Sequence, residues 1–306
     1  MNHKYIILRH VKINRANGKS SSISGGIPAL TAWMGSTHLL ERKIRAKGLK
    51  VKLPKMAVVY HKCHLLTYQE TRSKDNTTYI ANNLNPMIYQ NKKAQKMPFN
   101  EELKINLNVT IIIEADTTEN DNKLLENIEN TIYQLKIASG DIIDIEEIEI
   151  KNIDDTDKKE AKKLLYSTMP GYVLIERKDL ILKEFGQNCE DGLDSMLKNL
   201  VINEIPIKNE EDEIIEWQYW KKETGWIIPI AVGYKALTEL GKVKNQRDPE
   251  TAHRFAETIV TLGEMKLPIR FKNLDDIMWE YAYNPTFGIY EIKNENSIML
   301  KEKETK

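Results

Sequence analysis

The spacing of apolar residues changes several times along the chain, and each change predicts an element. Residues 5–13, Tyr-Ile-Ile-Leu-Arg-His-Val-Lys-Ile, are rich in β-branched side chains and predict a strand. From Ala29 to Lys47 the spacing becomes helical. Leu30, Trp33, Met34, Thr37, Leu40 and Ile44 share one face, and Gly48 is placed to end the helix. Strand character returns over 57–68. Residues 104–114 alternate, with Ile105, Leu107, Val109, Ile111 and Ile113 turned inward and Asn106, Asn108 and Thr110 outward. A helix is predicted over 122–138, with Leu125, Ile128, Ile132 and Leu135 on its buried face and Gly140 closing it, then a strand over 142–151. Between the second and third strands, residues 69–103 are polar and Asn-rich. Such a long irregular excursion is functional or disordered.

The second half reads less regularly. A helix over 156–167, a break at Pro170-Gly171, a short strand and helices over 178–186 and 190–201 precede an acidic loop at 208–216. Strand character resumes at 225–234. A basic irregular stretch at 241–248, a helix opened by Arg254, a helix near 274–281 and a strand near 287–292 follow, and the last dozen residues are charged and expected to fray. The fold class is α+β. The first 152 residues order as strand, helix, strand, strand, helix, strand, which is the ferredoxin-like pattern shared with RNA-recognition modules. Residues 153–306 are expected to pack back on that core.

Charge sharpens the picture. The formal net charge is zero, but residues 1–100 hold 18 Lys/Arg against 3 Asp/Glu, 101–220 hold 13 against 29, and 221–306 hold 14 against 13. That segregation predicts a basic face for a polyanion, in particular a nucleic acid. No apolar run is long enough to span a bilayer and no leader precedes the first strand, so a cytoplasmic chain is expected. Cys63 and Cys189 read as reduced, buried thiols.

The candidate chemistry centres on residues 14–28, a Gly/Ser loop leading to Pro28, which is expected in the first helical turn. Backbone amides of small residues and a helix N-terminus make an anion site. Gly18-Lys19-Ser20 resembles the end of a P-loop, but that motif needs glycine where this chain has Ile13, so a nucleotide triphosphatase is excluded. Thr31, His38 and Arg42 continue from the loop along a second helix face. His61, Cys63 and His64 do not share a strand face, which argues against zinc. The third strand lacks the aromatics with which RNA-recognition sheets stack bases, so any grip on RNA is expected from loops and cations.

Two stretches carry a family resemblance. Asn14 to Arg42 (the Ser run, Gly-Gly-Ile-Pro28, Thr-Ala-Trp-Met-Gly) and Gly225 to Glu264 (Gly-Trp-Ile-Ile-Pro-Ile, Gly-Tyr-Lys-Ala-Leu, Asn245-Gln-Arg-Asp248, Arg254-Phe-Ala-Glu257, Leu-Gly-Glu264) resemble the smaller tail subunit of the type I-F CRISPR surveillance (Csy) complex. That family belongs to the RAMP superfamily. The resemblance implies a RAMP-type modified ferredoxin-like (RRM-like) fold, with a thumb insertion at about 69–103 and a helical and strand C-terminal extension. It implies a non-catalytic subunit that holds the crRNA 5′ handle for guide-directed DNA interference, needing no cofactor or metal. The implied partners are the large tail subunit and the first backbone subunit, with contact to target double-stranded DNA left open. Asn17, Lys19, Ser20, Ser21, Gly26, Thr31, His38 and Arg42 would form one wall of an RNA groove, and Lys242, Lys244, Asn245, Arg247 and Arg254 the other. The family's loop often carries an aromatic where this chain has Gly25, which leaves base stacking there without a carrier. The competing expectation is a RAMP-type endoribonuclease that processes guide precursors, with His10, His38 and His253 as acid–base candidates. A purely structural adaptor is a third.

Overall fold

The computed structural model describes residues 2–69, 78–80, 87–90, 93–96, 102–154, 158–185, 191–246 and 248–294. Strand β1 (Asn2–Asn17), helix α1 (Leu30–Ala46), strands β2 (Lys55–Leu65) and β3 (Lys104–Thr117), helix α2 (Asp121–Ile132) and strands β4 (Gly140–Asp144) and β5 (Glu147–Asp154) form the first half. All pairings are antiparallel. β3 lies between β2 and β1, and β4 and β5 share the far edge of β1. The fold is therefore α+β around a large antiparallel sheet.

Alternation in β1 and β3 decides what each face buries. Ile6, Leu8, Val11 and Ile13 join Ile105 to Ile113 against α1, where Leu30, Trp33, Met34, Thr37, Leu40 and Ile44 are all buried. Complete burial of each such apolar side chain contributes about 1.5–3 kcal/mol. On the opposite face Ile7, Val59 and Ile112 pack against helix α3 (Lys158–Ser167) and against Phe271, Leu274 and Ile277.

The Asn and Thr side chains of β3 that face away from α1 have a local role, and Thr110, expected outward, is buried. The β1–β3 register shifts between Leu8 and Val11 and again between Ile13 and Ala16, and His10 and Arg15 take φ of 48° and 58° in these bulges. The Asn106 carboxamide accepts from the Arg15 amide at 2.9 Å, and Thr110 Oγ1 accepts from the His10 amide at 3.3 Å. These side chains supply the hydrogen bonds that the bulged ladder loses.

The second half contains β6 (Tyr172–Glu176), α4 (Lys178–Glu184), α5 (Gly192–Leu200), β7 (Ile202–Lys208), β8 (Ile214–Lys221), β9 (Trp226–Ala236), β10 (Ala256–Lys266), β11 (Trp279–Asn284) and β12 (Ile289–Lys293). Strands β6, β9, β10, β11 and β12 form a ring with β2, in the order β2–β11–β12–β9–β10–β6 and back to β2, and β7 and β8 form a separate hairpin. One edge of β2 thus serves two strands, pairing Lys55 and Met56 with β11 and Val59 and Tyr60 with β6. Buried Trp279 spans the fork, its indole N–H donating to the Leu174 carbonyl at 2.9 Å.

Several elements differ from expectation. Pro28 precedes the helix, whose N-cap is Ala29. Helix α2 ends at Ile132 and buries Leu124 rather than Leu125. Gly140 starts β4 after a two-residue turn in which Ala138 and Ser139 take φ of 48° and 67°. Arg254 opens no helix. The β-branched run Thr258-Ile-Val-Thr261 forms β10, paired on both sides. The helix expected near 274–281 is a short turn leading into β11, and the acidic loop is the tip of the β7–β8 hairpin. Two short antiparallel pairings, 67–69 with 78–80 at its start and 87–90 with 93–96 inside it, occupy the described part of the excursion at 69–103. Cys63 is exposed rather than buried, while Cys189, Arg247 and the chain end fall outside the described residues. No helix among the described residues is long and apolar enough to cross a membrane.

Candidate nucleic-acid interface

The loop after β1 is built largely from its own hydrogen bonds. The Gly18 amide donates to the Leu103 carbonyl, the Gly26 amide donates to the Gly18 carbonyl at 2.8 Å, and Lys19 pairs with Gly25. Gly26 sits at φ +116°, which only glycine adopts readily. The Ser20 and Ser21 amides both donate to the Ser24 carbonyl, and Ser21 Oγ accepts from the amides of Ile23 and Ser24. Ser21 and Gly26 therefore shape the loop. Their polar groups are spent on it.

Beside the loop lies a pocket of about 380 Å³. Asn17, Lys19 and Ser20 line it from the loop, and Ala29, Thr31 and Ala32 from the first turn of α1. No side chain caps that turn, so its amides and the positive end of the helix dipole border the cavity. Asn17 is held by its amide bond to the Ala138 carbonyl and by Lys104 Nζ, which donates to its carboxamide at 2.6 Å. Lys19 is exposed. The opposite wall is aromatic: Tyr234 of β9 and Tyr290 of β12, directly opposed across the two strands. Burial, with Tyr281 and Tyr234 nearby, pushes the Tyr290 hydroxyl above its ordinary pKa, so the ring is neutral at physiological pH. A larger concavity, about 480 Å³, lies at the other end of α1 and is lined by none of the predicted site residues.

The model of the family CRISPR-associated protein (Cas_Csy2) matches residues 6–292. This chain belongs to the Csy2 family. It is 27% identical over 313 residues to the CRISPR-associated protein Csy2 of Pseudomonas aeruginosa (strain UCBPP-PA14), a match covering 93% of each chain. Membership agrees with the resemblance carried by residues 14–42 and 225–264, that of a subunit of the type I-F CRISPR Csy complex.

In this Csy2-family chain the pocket brings together four of the predicted residues, Asn17, Lys19, Ser20 and Thr31. His38 stands two turns further along α1, half-buried, its ring edge-on to Tyr281 at 4.8 Å between centroids. Burial lowers its pKa, so it is neutral near pH 7. Arg42 is exposed about 16 Å along the helix from Thr31, outside the pocket lining. Lys242, Lys244 and Asn245 are exposed in a loop closed by the Gly241–His253 bridge and by the Gln246 side chain, and they too are outside the lining. Arg254 reaches Gly288, where a Cβ would lie 3.0 Å from its Nη1, placing the guanidinium beside the start of β12. The nuclease candidates occupy three separate settings. His10 stacks at 4.3 Å on His61, on the sheet face away from α1; His38 abuts Tyr281; His253 bridges Gly241. Sequence reasoning missed Tyr234 and Tyr290. The available signal was the Gly-Tyr pair at 233–234 and the alternation of Tyr281 and Tyr283 at and just beyond the end of a region read as helix.

Proposed function

We propose that this chain is a non-catalytic RNA-binding subunit that holds the 5′ handle of crRNA in the pocket between loop 17–26, the start of α1 and strands β9 and β12. The observation that carries this reading is the convergence on one cavity of a helix start that no side chain caps, the exposed Lys19 and an aromatic wall. Phosphates would take Lys19 and the first-turn amides of α1, with Arg254 extending the cationic side, while Ser20, whose amide and hydroxyl are bonded to Ser24, holds the loop beside them. The three predicted histidines share no site, and His61, the ring beside His10, has both nitrogens engaged by the Pro170 carbonyl and Thr110 Oγ1, which supports binding without cleavage, because acid–base chemistry at a 2′-hydroxyl needs two available groups in reach of one site. A RAMP-type ferredoxin-like core is supported by the order β2–β3–β1–β4/β5 with α1 and α2 in the crossovers, and a thumb by the antiparallel pairings at the start of and inside 69–103.

Pairing with the large tail subunit is assigned to the β7–β8 hairpin. Among the described residues these two strands pair only with each other, and Trp217, Tyr219, Trp220 and Ile215 are 47–65% exposed. A lone hairpin is marginal in water, and its tip carries Glu210, Glu211, Asp212 and Glu213, which repel RNA. An apolar protein surface with a basic rim fits it. The first backbone subunit would then meet the core side of the chain.

The RNA reading is tested by Lys19→Ala and Arg254→Ala in the assembled complex, measuring crRNA affinity against salt. Each lost single-strand phosphate contact reduces the salt slope by about 0.7. Unchanged affinity and slope in the double variant would refute the assignment.

A further inference from the structure

The pocket's aromatic wall continues beyond the pocket. Tyr234 opposes Tyr290, and Tyr290 opposes Tyr283 on the next strand. Directly opposed residues share a sheet face, and so do residues two apart, which adds Tyr281. Tyr281 lies nearly parallel to Tyr290, with 6.4 Å between centroids and 27° between planes, and His38 supports it from α1. Four tyrosines thus occupy one face of β9, β12 and β11. Ile292, two residues from Tyr290, is fully buried on that face beneath α1, whereas Tyr234, Tyr281 and Tyr283 are 44%, 50% and 56% exposed. The face runs from core to solvent, and tyrosines from all three strands meet toward its solvent end.

We propose that Tyr234, Tyr290 and Tyr283 form a base-stacking platform for single-stranded RNA, with His38 and Tyr281 as its buttress; this rests on the RNA reading above. RNA-recognition sheets stack two or three bases on aromatics of adjacent strands. Here the core strand β3 offers Asn and Thr, which are committed to the β1 bulges, and Gly25 in the loop has no side chain. The three tyrosines lie on adjacent strands, about 10 Å from first to last. Lys19 and the α1 amides border the same pocket, so a backbone held there would present its next bases to Tyr290 and Tyr234. Stacking is tolerant of sequence, because every base has a π-face. The platform therefore grips bases, while the loop and helix start grip phosphates.

The experiment compares two probes on the assembled complex lacking its guide: a ten-nucleotide single-stranded RNA and the same oligomer made abasic at each position in turn. Tyr234→Ala/Tyr290→Ala is expected to weaken the intact RNA about 5- to 150-fold for each unstacked base. It is expected to leave the salt slope unchanged, and to remove the preference for the intact oligomer over the oligomer abasic at one or two adjacent positions. Tyr234→Phe/Tyr290→Phe keeps the rings and is expected to bind as the parent does, which separates stacking from misfolding. Lys19→Ala is expected to lower the salt slope and to keep the base preference. Intact base preference in the alanine variant, or equal weakening of intact and abasic oligomers, overturns the platform while leaving the phosphate site standing. Unchanged affinity and salt slope in Lys19→Ala/Arg254→Ala overturn the RNA reading itself.

Discussion

Gly233 is the residue on which the link between β9 and β12 depends. A Cβ at this position would lie 2.1 Å from the Tyr290 carbonyl oxygen and 2.8 Å from the Glu291 Cα. Both contacts are backbone, so no side chain can swing aside. Ordinary contact begins at 3.4 Å, so alanine must push the strands about 1.3 Å apart. Only three residue pairs join β9 to β12: Gly233 with Glu291, Tyr234 with Tyr290 and Lys235 with Ile289. Separation on that scale weakens all of them. Overpacking costs about 1–3 kcal/mol, and each backbone hydrogen bond lost adds about 0.5–1.5 kcal/mol. Gly233→Ala is therefore expected to destabilise the chain by about 2–4 kcal/mol. Gly35 is the control. It lies in α1 with no atom within 4 Å of a Cβ, so Gly35→Ala is expected to stabilise by about 0.5–1 kcal/mol through helix propensity. Urea titration of both variants, followed by tryptophan fluorescence, measures the two effects with opposite signs. A Gly233→Ala midpoint within about 0.5 kcal/mol of the parent would show that the sheet gives way there at no cost, and the contact argument fails.

Acid sensitivity should come from His61 and His38. His61 Nδ1 lies 2.6 Å from the Pro170 carbonyl and Nε2 lies 2.8 Å from Thr110 Oγ1, so the neutral ring uses both nitrogens, donating to Pro170 and accepting from Thr110. Burial lowers the pKa of both histidines below the ordinary 6.5. The unfolded chain then takes up protons that the fold refuses, so stability is complete above pH 6.5 and falls as pH drops below it. Thermal melts at pH 8 and 5.5 should show the loss, and a His38→Gln/His61→Gln variant should show a smaller difference between the two; an equal difference would refute the source. Arg177 and Glu264 form a buried ion pair that the part-exposed Asp179 joins, so Glu264→Ala, which leaves Arg177 one partner, should cost about 2–4 kcal/mol, read by the same titration, with a loss under about 1 kcal/mol counting against it. Trp217→Ser/Trp220→Ser on the exposed hairpin should leave the melting of the free chain unchanged and abolish copurification with the large tail subunit. Intact copurification would remove the hairpin from that interface.

The sequence was most legible where one face of an element is buried and the other is wet. The buried positions of α1 and the inward positions of β3 could be read directly, because period and burial coincide. Legibility failed where burial depends on distant partners. β10 and β11 look helical in isolation and become strands only because β9, β6 and β2 offer edges to them. At the candidate site, Lys19 and Thr31 were readable from loop chemistry and helix phase. Tyr234 and Tyr290 were not, since they meet the loop only through pairings that connect residues more than 200 positions apart. The polar residues of β3 were seen as outward but given no role. Their partners are bulges in β1, and no local pattern announces a bulge.

The shared edge of β2 has a consequence for synthesis on the ribosome. Once β1, β2 and β3 have emerged, the outer edge of β2 has no partner until β6 is made, and its Lys55–Met56 end none until β11 is made. At 5–20 residues per second the wait for β11 lasts on the order of ten to forty seconds. For that time the nascent chain displays an open strand edge, with Met56, Val58 and Val59 along it, to its neighbours. Trp279 then latches the fork, and β12, made after it, closes the ring between β11 and β9.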